Sequence, residues 1–475
     1  MYIRQRRMIW RGHRFKEESE RGTKRMRKRN VRGICAFLCT ILLGCLIPAG
    51  EVQAQRALDV ARERGYQLEE RYQPAGSIIT EINTGQILWQ ENAQKQWPPA
   101  SMTKLMTILL AYEEIKAGNL ELESTAEVNE RYTDIAGRYA LSNNKMQPGA
   151  SYTVAELMDL IIVPSSAAAT YMLADMVESD PDKFVERMNQ KAQELGMVNT
   201  KYFNCVGVTN NLLQPYHPVS QPLDGDNITT PEDYAMLCTY LIKTYPDILN
   251  HTKYPQITVK EGTPYEEHFT SYQISLEGAK YGLEGTDGLK TGSSDTAGFN
   301  YSSTAKRGDT RLVEIVMGVS DWSDQTGEEL RHLVGNAIME QAFERFEYKK
   351  VLSKGVHTID GKKVEISKDL WDCVPKGKEA PLTIKDGKVL VDLEREYLPG
   401  FQAPAVSCKQ VAAVEKNEQK GLPLFLKVLL VLAAVFVILV GARISYVAYR
   451  KKQRRKRREA QRRRRARRIR ELEEK

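Results

Sequence analysis

The chain is poor in metal-ligand patterns. It holds six histidines and seven cysteines, with no HExxH, no close histidine pair and no CxxC spacing. Zinc sites need their ligands at short, regular intervals, so no metal site is expected, and no cofactor motif stands in for one. Internal repeats are absent, which sets aside solenoids and propellers. Positive charge is missing from the middle of the chain. The net charge is +8, yet residues 1–33 carry +10 and residues 443–475 carry +13, leaving −15 between them. A nucleic-acid reader would carry its basic surface on the folded part. Here that part is acidic, so no nucleic-acid partner is expected.

The basic charge sits in two tails, each beside an apolar run. Gly33–Gly50 follows Arg27-Lys28-Arg29 and precedes Val52-Gln53-Ala54. Small residues at that place suit a signal peptidase, with maturation near Gln55. Two alternatives stay open: a retained anchor, or a lipoprotein box at Leu42–Cys45 with Cys45 lipidated. The second run, Leu422–Ala442, is 21 residues long and broken only by Lys427. At about 1.5 Å rise per residue it matches a bilayer core of about 30 Å. The positive-inside rule puts the tail from Arg443 in the cytoplasm and the body outside. Such a tail favours anionic lipid headgroups over RNA.

At 475 residues the chain is too long for one ordinary domain. The layout expected is a basic N-region and signal over 1–54, a main domain over 60–348, a small β-rich domain over 351–410, a stalk over 411–421, a transmembrane helix over 422–442 and a cytoplasmic tail over 443–475. Within the main domain, Gly76–Ile82 and Gln86–Gln90 flank Asn83-Thr84-Gly85, a strand–turn–strand pattern. Leu105, Ile108, Leu109, Tyr112 and Ile115 recur at helical spacing up to Gly118. Thr153 with Glu156, and Thr326 with Glu329, read as capping boxes. Further helices are expected from Asp182 to Leu195 and from Pro231 to Lys243, and a strand from Leu312 to Met317. Helices set among strands give an α/β body. After Lys350, short runs between Asp360-Gly361, Lys376-Gly377 and Asp386-Gly387 suggest an all-β module. Cys205, Cys238, Cys373 and Cys408 lie in the body and read as buried free thiols, with one or two disulfides chemically allowed outside the cell.

The chemistry gathers in three short stretches. Ser101 and Lys104 stand three residues apart, so a helix brings them to one face. A serine hydroxyl needs a base, and burial lowers a lysine's pKa enough for that task. At a helix start the serine's own N–H is free to meet a carbonyl oxygen. Lys290-Thr291-Gly292 offers a cation and a hydroxyl for a carboxylate substrate, a glycine for close backbone approach, and the Ser293 N–H as a second oxyanion donor. Ser165-Ser166-Ala167 lies between them in sequence.

This Ser-x-x-Lys, Ser-x-x and Lys-Thr-Gly series resembles the serine penicillin-recognising enzymes. It is most similar to the low-molecular-mass D-Ala-D-Ala carboxypeptidases, among them the membrane-tethered staphylococcal type. Pro99–Met106, Leu276–Lys280 and Gly285–Ala297 carry the likeness. The resemblance implies an antiparallel sheet with flanking helices, plus a small C-terminal all-β domain. It implies a peptidase of the peptidoglycan stem, inhibited by penicillins, whose acyl-enzyme passes to water, a carboxypeptidase outcome, or to a neighbouring stem amine, a transpeptidase outcome. Ser101 would be the nucleophile, Lys104 the base and Ser165 the proton relay, while Lys290, Thr291, Gly292 and Ser293 would bind substrate. The chain departs from the family at Ala167, where the motif has an asparagine. Asn143 or Asn144 is a candidate replacement for that amide. An activity-impaired wall-binding homologue and a β-lactamase remain the alternatives; no motif places the glutamate that a class A β-lactamase needs.

Overall fold

A computed structural model describes residues 55–411 and 423–473. The expected signal segment, with Cys35, Cys39 and Cys45, and nearly all of the stalk lie outside the described residues. The described chain falls into two units, one ending at Gln410 and one beginning at Val411.

The first unit is built on a five-stranded antiparallel sheet. Its strands are β1 (Gly76–Glu81), β2 (Ile87–Glu91), β3 (Thr286–Ser294), β4 (Gly298–Arg307) and β5 (Thr310–Val319), in the order β2-β1-β5-β4-β3. Side chains alternate across a strand. In β5, Val313, Ile315 and Met317 therefore enter one core and Leu312 and Val316 the other, which Val319 joins beyond a register shift in the β4–β5 pairing. Both faces are covered, so β5 is almost continuously apolar.

The second face is closed by two helices that precede and follow the strands of this sheet in sequence, α1 (Ala57–Glu63) and α7 (Gly327–Arg345). The first face carries the helical layer. It comprises α2 (Lys104–Ala117), α3 (Val154–Ile162), α4 (Ala167–Val177), α5 (Pro181–Glu194) and α6 (Pro231–Thr244). The expected caps mostly form. Thr153 and Glu156 make a full capping box, Thr230 accepts from the Asp233 N–H, and Gly118 ends α2 in the left-handed region. The second expected box does not form. Thr326 precedes α7, but its hydroxyl bonds Asp324 at 2.5 Å and caps no helical N–H.

Beyond α7 the chain runs straight into β6 (Phe346–Leu352), which crosses the joint expected near 348–351. It pairs with β9 (Leu370–Pro375). The remaining strands are β7 (Gly355–Ile359), β8 (Lys362–Ile366), β10 (Leu382–Lys385), β11 (Lys388–Val391) and β12 (Ala405–Gln410). They form a second antiparallel sheet in the order β7-β8-β12-β11-β10. Its two tight turns are Asp360-Gly361 and Asp386-Gly387, all four residues with positive φ. That is the demand of a two-residue hairpin whose twist matches its strands. Cys205, Cys238 and Cys373 are free and buried, and Cys408 is free and partly buried.

In the second unit, Leu424–Glu473 is one helix. It is long and apolar enough at its start to cross a membrane, and it continues through the arginine-rich segment.

Candidate active site

Ser101 sits on a short 3-10 turn, Ala100–Thr103, which runs directly into α2. The Lys104 ammonium lies 2.7 Å from Ser101 Oγ and donates to the Val206 carbonyl at 3.0 Å. Lys104 is buried, and that burial brings its pKa down to about 7. The loop that supplies the Val206 carbonyl is shaped by Asn204, whose side chain accepts from the Val206 and Gly207 N–H groups. Gly207 is left-handed, and a Cβ there would lie 1.9 Å from the Ala100 carbonyl oxygen. Only glycine lets the loop press so closely on the serine turn.

From the other side the turn is met by β3. A Cβ at Gly292 would lie 2.4 Å from the Pro99 carbonyl oxygen. The glycine of Lys290-Thr291-Gly292 is thus where the strand touches the backbone that carries Ser101. Lys290 is buried and donates to Ser165 Oγ at 2.9 Å and to the Thr291 carbonyl at 3.1 Å. Burial first, then the charges of Lys104 and Arg331, hold its pKa well below the ordinary lysine value. Ser165 is buried with φ +61, a left-handed conformation unusual outside glycine. The structure therefore brings together Ser101 with Lys104, Ser165 with Lys290, and Gly292 with the serine turn.

Ala167 opens α4 and is buried. Asn143 and Asn144 hold this corner instead of replacing its amide. Asn143 accepts from the Ala168 N–H at 2.8 Å and donates to the Ile135 carbonyl at 2.9 Å. Asn144 accepts from the Ser166 hydroxyl at 2.8 Å and donates to Glu267 at 3.3 Å. Neither bonds Lys104, whose side chain bonds only Ser101 and Val206 among the described residues.

Sequence reasoning missed Arg331. It lies on α7, is fully buried, and donates to Ser293 Oγ at 2.8 Å and to the Asn300 carbonyl at 3.0 Å. Burial brings its pKa down to about 10, so it stays cationic at neutral pH. A fixed guanidinium thus stands behind Ser293, adding positive charge where a carboxylate was expected to bind. No spacing signal links position 331 to position 293.

A partly exposed serine bonded to a buried lysine, with a second buried lysine on the strand that touches the serine turn, suits acyl transfer. A family model described as D-alanyl-D-alanine carboxypeptidase matches residues 67–321. The chain belongs to that family. It is a serine-type D-Ala-D-Ala carboxypeptidase of the penicillin-binding group. The D-alanyl-D-alanine carboxypeptidase DacF of Bacillus subtilis is 24% identical over 361 residues, 76% of this chain and 84% of that protein. DacC of Escherichia coli is 28% identical over 244 residues, 51% of this chain and 55% of that one. A peptidoglycan synthesis regulatory factor from Streptococcus pneumoniae shares the fold, with a TM-score of 0.61 at 22% identity, over 71% of this carboxypeptidase and 99% of that chain. Penicillin binding protein 5 from Haemophilus influenzae shares it at a TM-score of 0.55 and 21% identity, over 71% and 96%. A second family model, described as a domain of unknown function, matches residues 348–409 of the carboxypeptidase.

Proposed function

We propose that Ser101 is the nucleophile of this carboxypeptidase and that the stem peptide of peptidoglycan is cut in the following way. Neutral Lys104 takes the Ser101 proton as Oγ attacks the carbonyl carbon of the penultimate D-alanine. The C–N bond to the terminal D-alanine breaks, and its nitrogen leaves as an amine with the proton Lys104 took, relayed through Ser165, which Lys290 holds; this returns Lys104 to its neutral form. Water then attacks the acyl-serine ester, freeing the shortened stem and Ser101. Attack by a neighbouring stem amine would give transpeptidation instead. Lys290, Thr291 and Ser293 hold the terminal carboxylate, and the N–H groups of Ser101 and Ser293 receive the oxyanion. The observation that carries this reading is the 2.7 Å contact between Ser101 Oγ and a lysine whose pKa burial has brought to about 7. A base near the working pH transfers protons most effectively.

Penicillins, as mimics of the D-Ala-D-Ala terminus, would acylate the same serine. A long-lived adduct fits a D,D-peptidase, and rapid hydrolysis would fit a β-lactamase. Ala167 supports a lowered acylation rate, because among the described residues no side-chain amide bonds Lys104. The topology proposed is a single pass: the helix from Leu424 crosses the cell membrane, the tail from Arg443 is cytoplasmic and the catalytic domain lies outside. The test is D-alanine release from a D-Ala-D-Ala peptide by the purified chain. Release by wild type and none by Ser101→Ala is expected. Equal release by both would overturn the assignment of the nucleophile.

A further inference from the structure

The region from β6 onward has no task in the chemistry above, yet it shares a cleft with the catalytic domain. The cleft measures about 420 Å³ and is lined by Asn83, Lys306, Asp309, Arg311, Tyr348 and Trp371. Lys306, Asp309 and Arg311 come from the hairpin end of β4 and β5. Tyr348 and Trp371 come from β6 and β9. The Tyr348 N–H donates to Thr310 Oγ1 at 2.8 Å, which fastens β6 to that hairpin end.

The register explains the aromatic wall. Tyr348 faces Cys373 and Lys350 faces Trp371 across the β6–β9 ladder. Tyr348 and Trp371 are therefore diagonal neighbours on one face. Their rings stack with centroids 5.6 Å apart and planes 27° apart. Both side chains are part-exposed, and Asn83, Lys306 and Asp309 are exposed.

The charges around the cleft balance. Arg311 is held by two bonds to Asp287, each 2.7 Å. Lys306 stands with Asp309, and neither forms a salt bridge among the described residues. A balanced lining does not select a phosphate polymer or a nucleic acid, which need an excess of cations. Flat aromatic surface beside exposed donors and acceptors of both kinds suits an uncharged ligand with apolar faces and many polar edges. A chain of acylated amino sugars has that character.

The spacing agrees. Thr286 pairs with Ala305, next to Lys306, and Lys290 lies further up the same strand. At about 3.3 Å per residue, the cleft is roughly 13–20 Å along β3 from Lys290 and Gly292. An extended stem of about four or five residues spans roughly 13–18 Å. A stem is thus comparable in length to the stretch of β3 between the cleft end and Gly292, the residue that touches the serine turn.

We propose that this cleft docks the glycan strand of peptidoglycan, with Tyr348 and Trp371 stacking on its sugar rings, and that the β-rich domain exists in part to complete it. The proposal rests on the reading of the chain as a stem-peptide carboxypeptidase. The test uses the full chain in detergent micelles with peptide-free glycan strands as the probe, read by calorimetry. Binding to wild type is expected, weakened about tenfold or more by Trp371→Ala and by Lys306→Glu. The second variant changes an exposed side chain and leaves the fold in place. Both variants should keep turnover of a soluble D-Ala-D-Ala peptide within about twofold while losing turnover of polymeric peptidoglycan. No glycan binding by wild type, or undiminished binding by both variants, would overturn the cleft. Glycan binding without D-alanine release from the soluble peptide would support the cleft while sinking the catalytic reading, so the two failures are distinguishable.

Discussion

Lys104 makes the acylation step answer to pH in a way that an ordinary lysine would not. Its ammonium is buried beside Ser101, and burial lowers the pKa from 10.5 to about 7. Only the neutral amine can accept the serine proton. With a pKa of about 7, roughly one tenth of the enzyme is competent at pH 6, half at pH 7 and nine tenths at pH 8. The second-order rate of acylation by a fluorescent penicillin should therefore rise roughly tenfold from pH 6 to pH 8 and then level off. A lysine left near 10.5 would give roughly a hundredfold rise over the same interval, with no plateau below about pH 10. Stopped-flow measurement with excess penicillin reports the free enzyme and separates the two curves. A slope of one continuing through pH 9 would refute the argument that burial tunes this base.

Three further outcomes follow from the same geometry. The buried Lys104 should destabilise the fold, since the unfolded chain holds that proton up to about pH 10.5 and the folded chain only to about 7, so stability rises with pH across that window. The shift corresponds to about 5 kcal/mol below pH 7, so Lys104→Met should abolish acylation yet raise the melting temperature at pH 6, with the gain shrinking towards pH 10. Ala167→Asn should raise the acylation rate by roughly 10²–10³, the usual worth of one positioned polar group at a reacting centre; an unchanged rate in the same stopped-flow assay would mean another group fills the role. Gly292→Ala should leave a folded protein, checked by circular dichroism, but lower acylation by about a hundredfold. Its Cβ would lie 2.4 Å from the Pro99 oxygen and push the strand off the serine turn.

Much of the site was legible because its parts follow local rules. Ser101 and Lys104 meet through helical spacing, and the family's glycine at 292 allows a close approach that any side chain would block. The hairpin turns at Asp360-Gly361 and Asp386-Gly387 were legible because left-handed pairs favour those residues. What escaped depends on contacts between distant segments. Arg331 reaches Ser293 from α7, with nothing in the spacing to announce it. Asn204 and Gly207 shape the loop that holds Lys104 without any motif of their own. The box expected at Thr326 failed because Asp324, two residues earlier, competes for its hydroxyl. Asn143 and Asn144 were near the right place, but their amides are bound to the backbone and side chains around α4.

The most direct test is intact-mass analysis of the purified chain after brief exposure to benzylpenicillin, followed by peptide mapping. A single penicilloyl adduct on Ser101, stable over the experiment and absent from Ser101→Ala, is the expected result. An adduct retained by Ser101→Ala, or none on wild type, would contradict the assignment of Ser101 as the nucleophile.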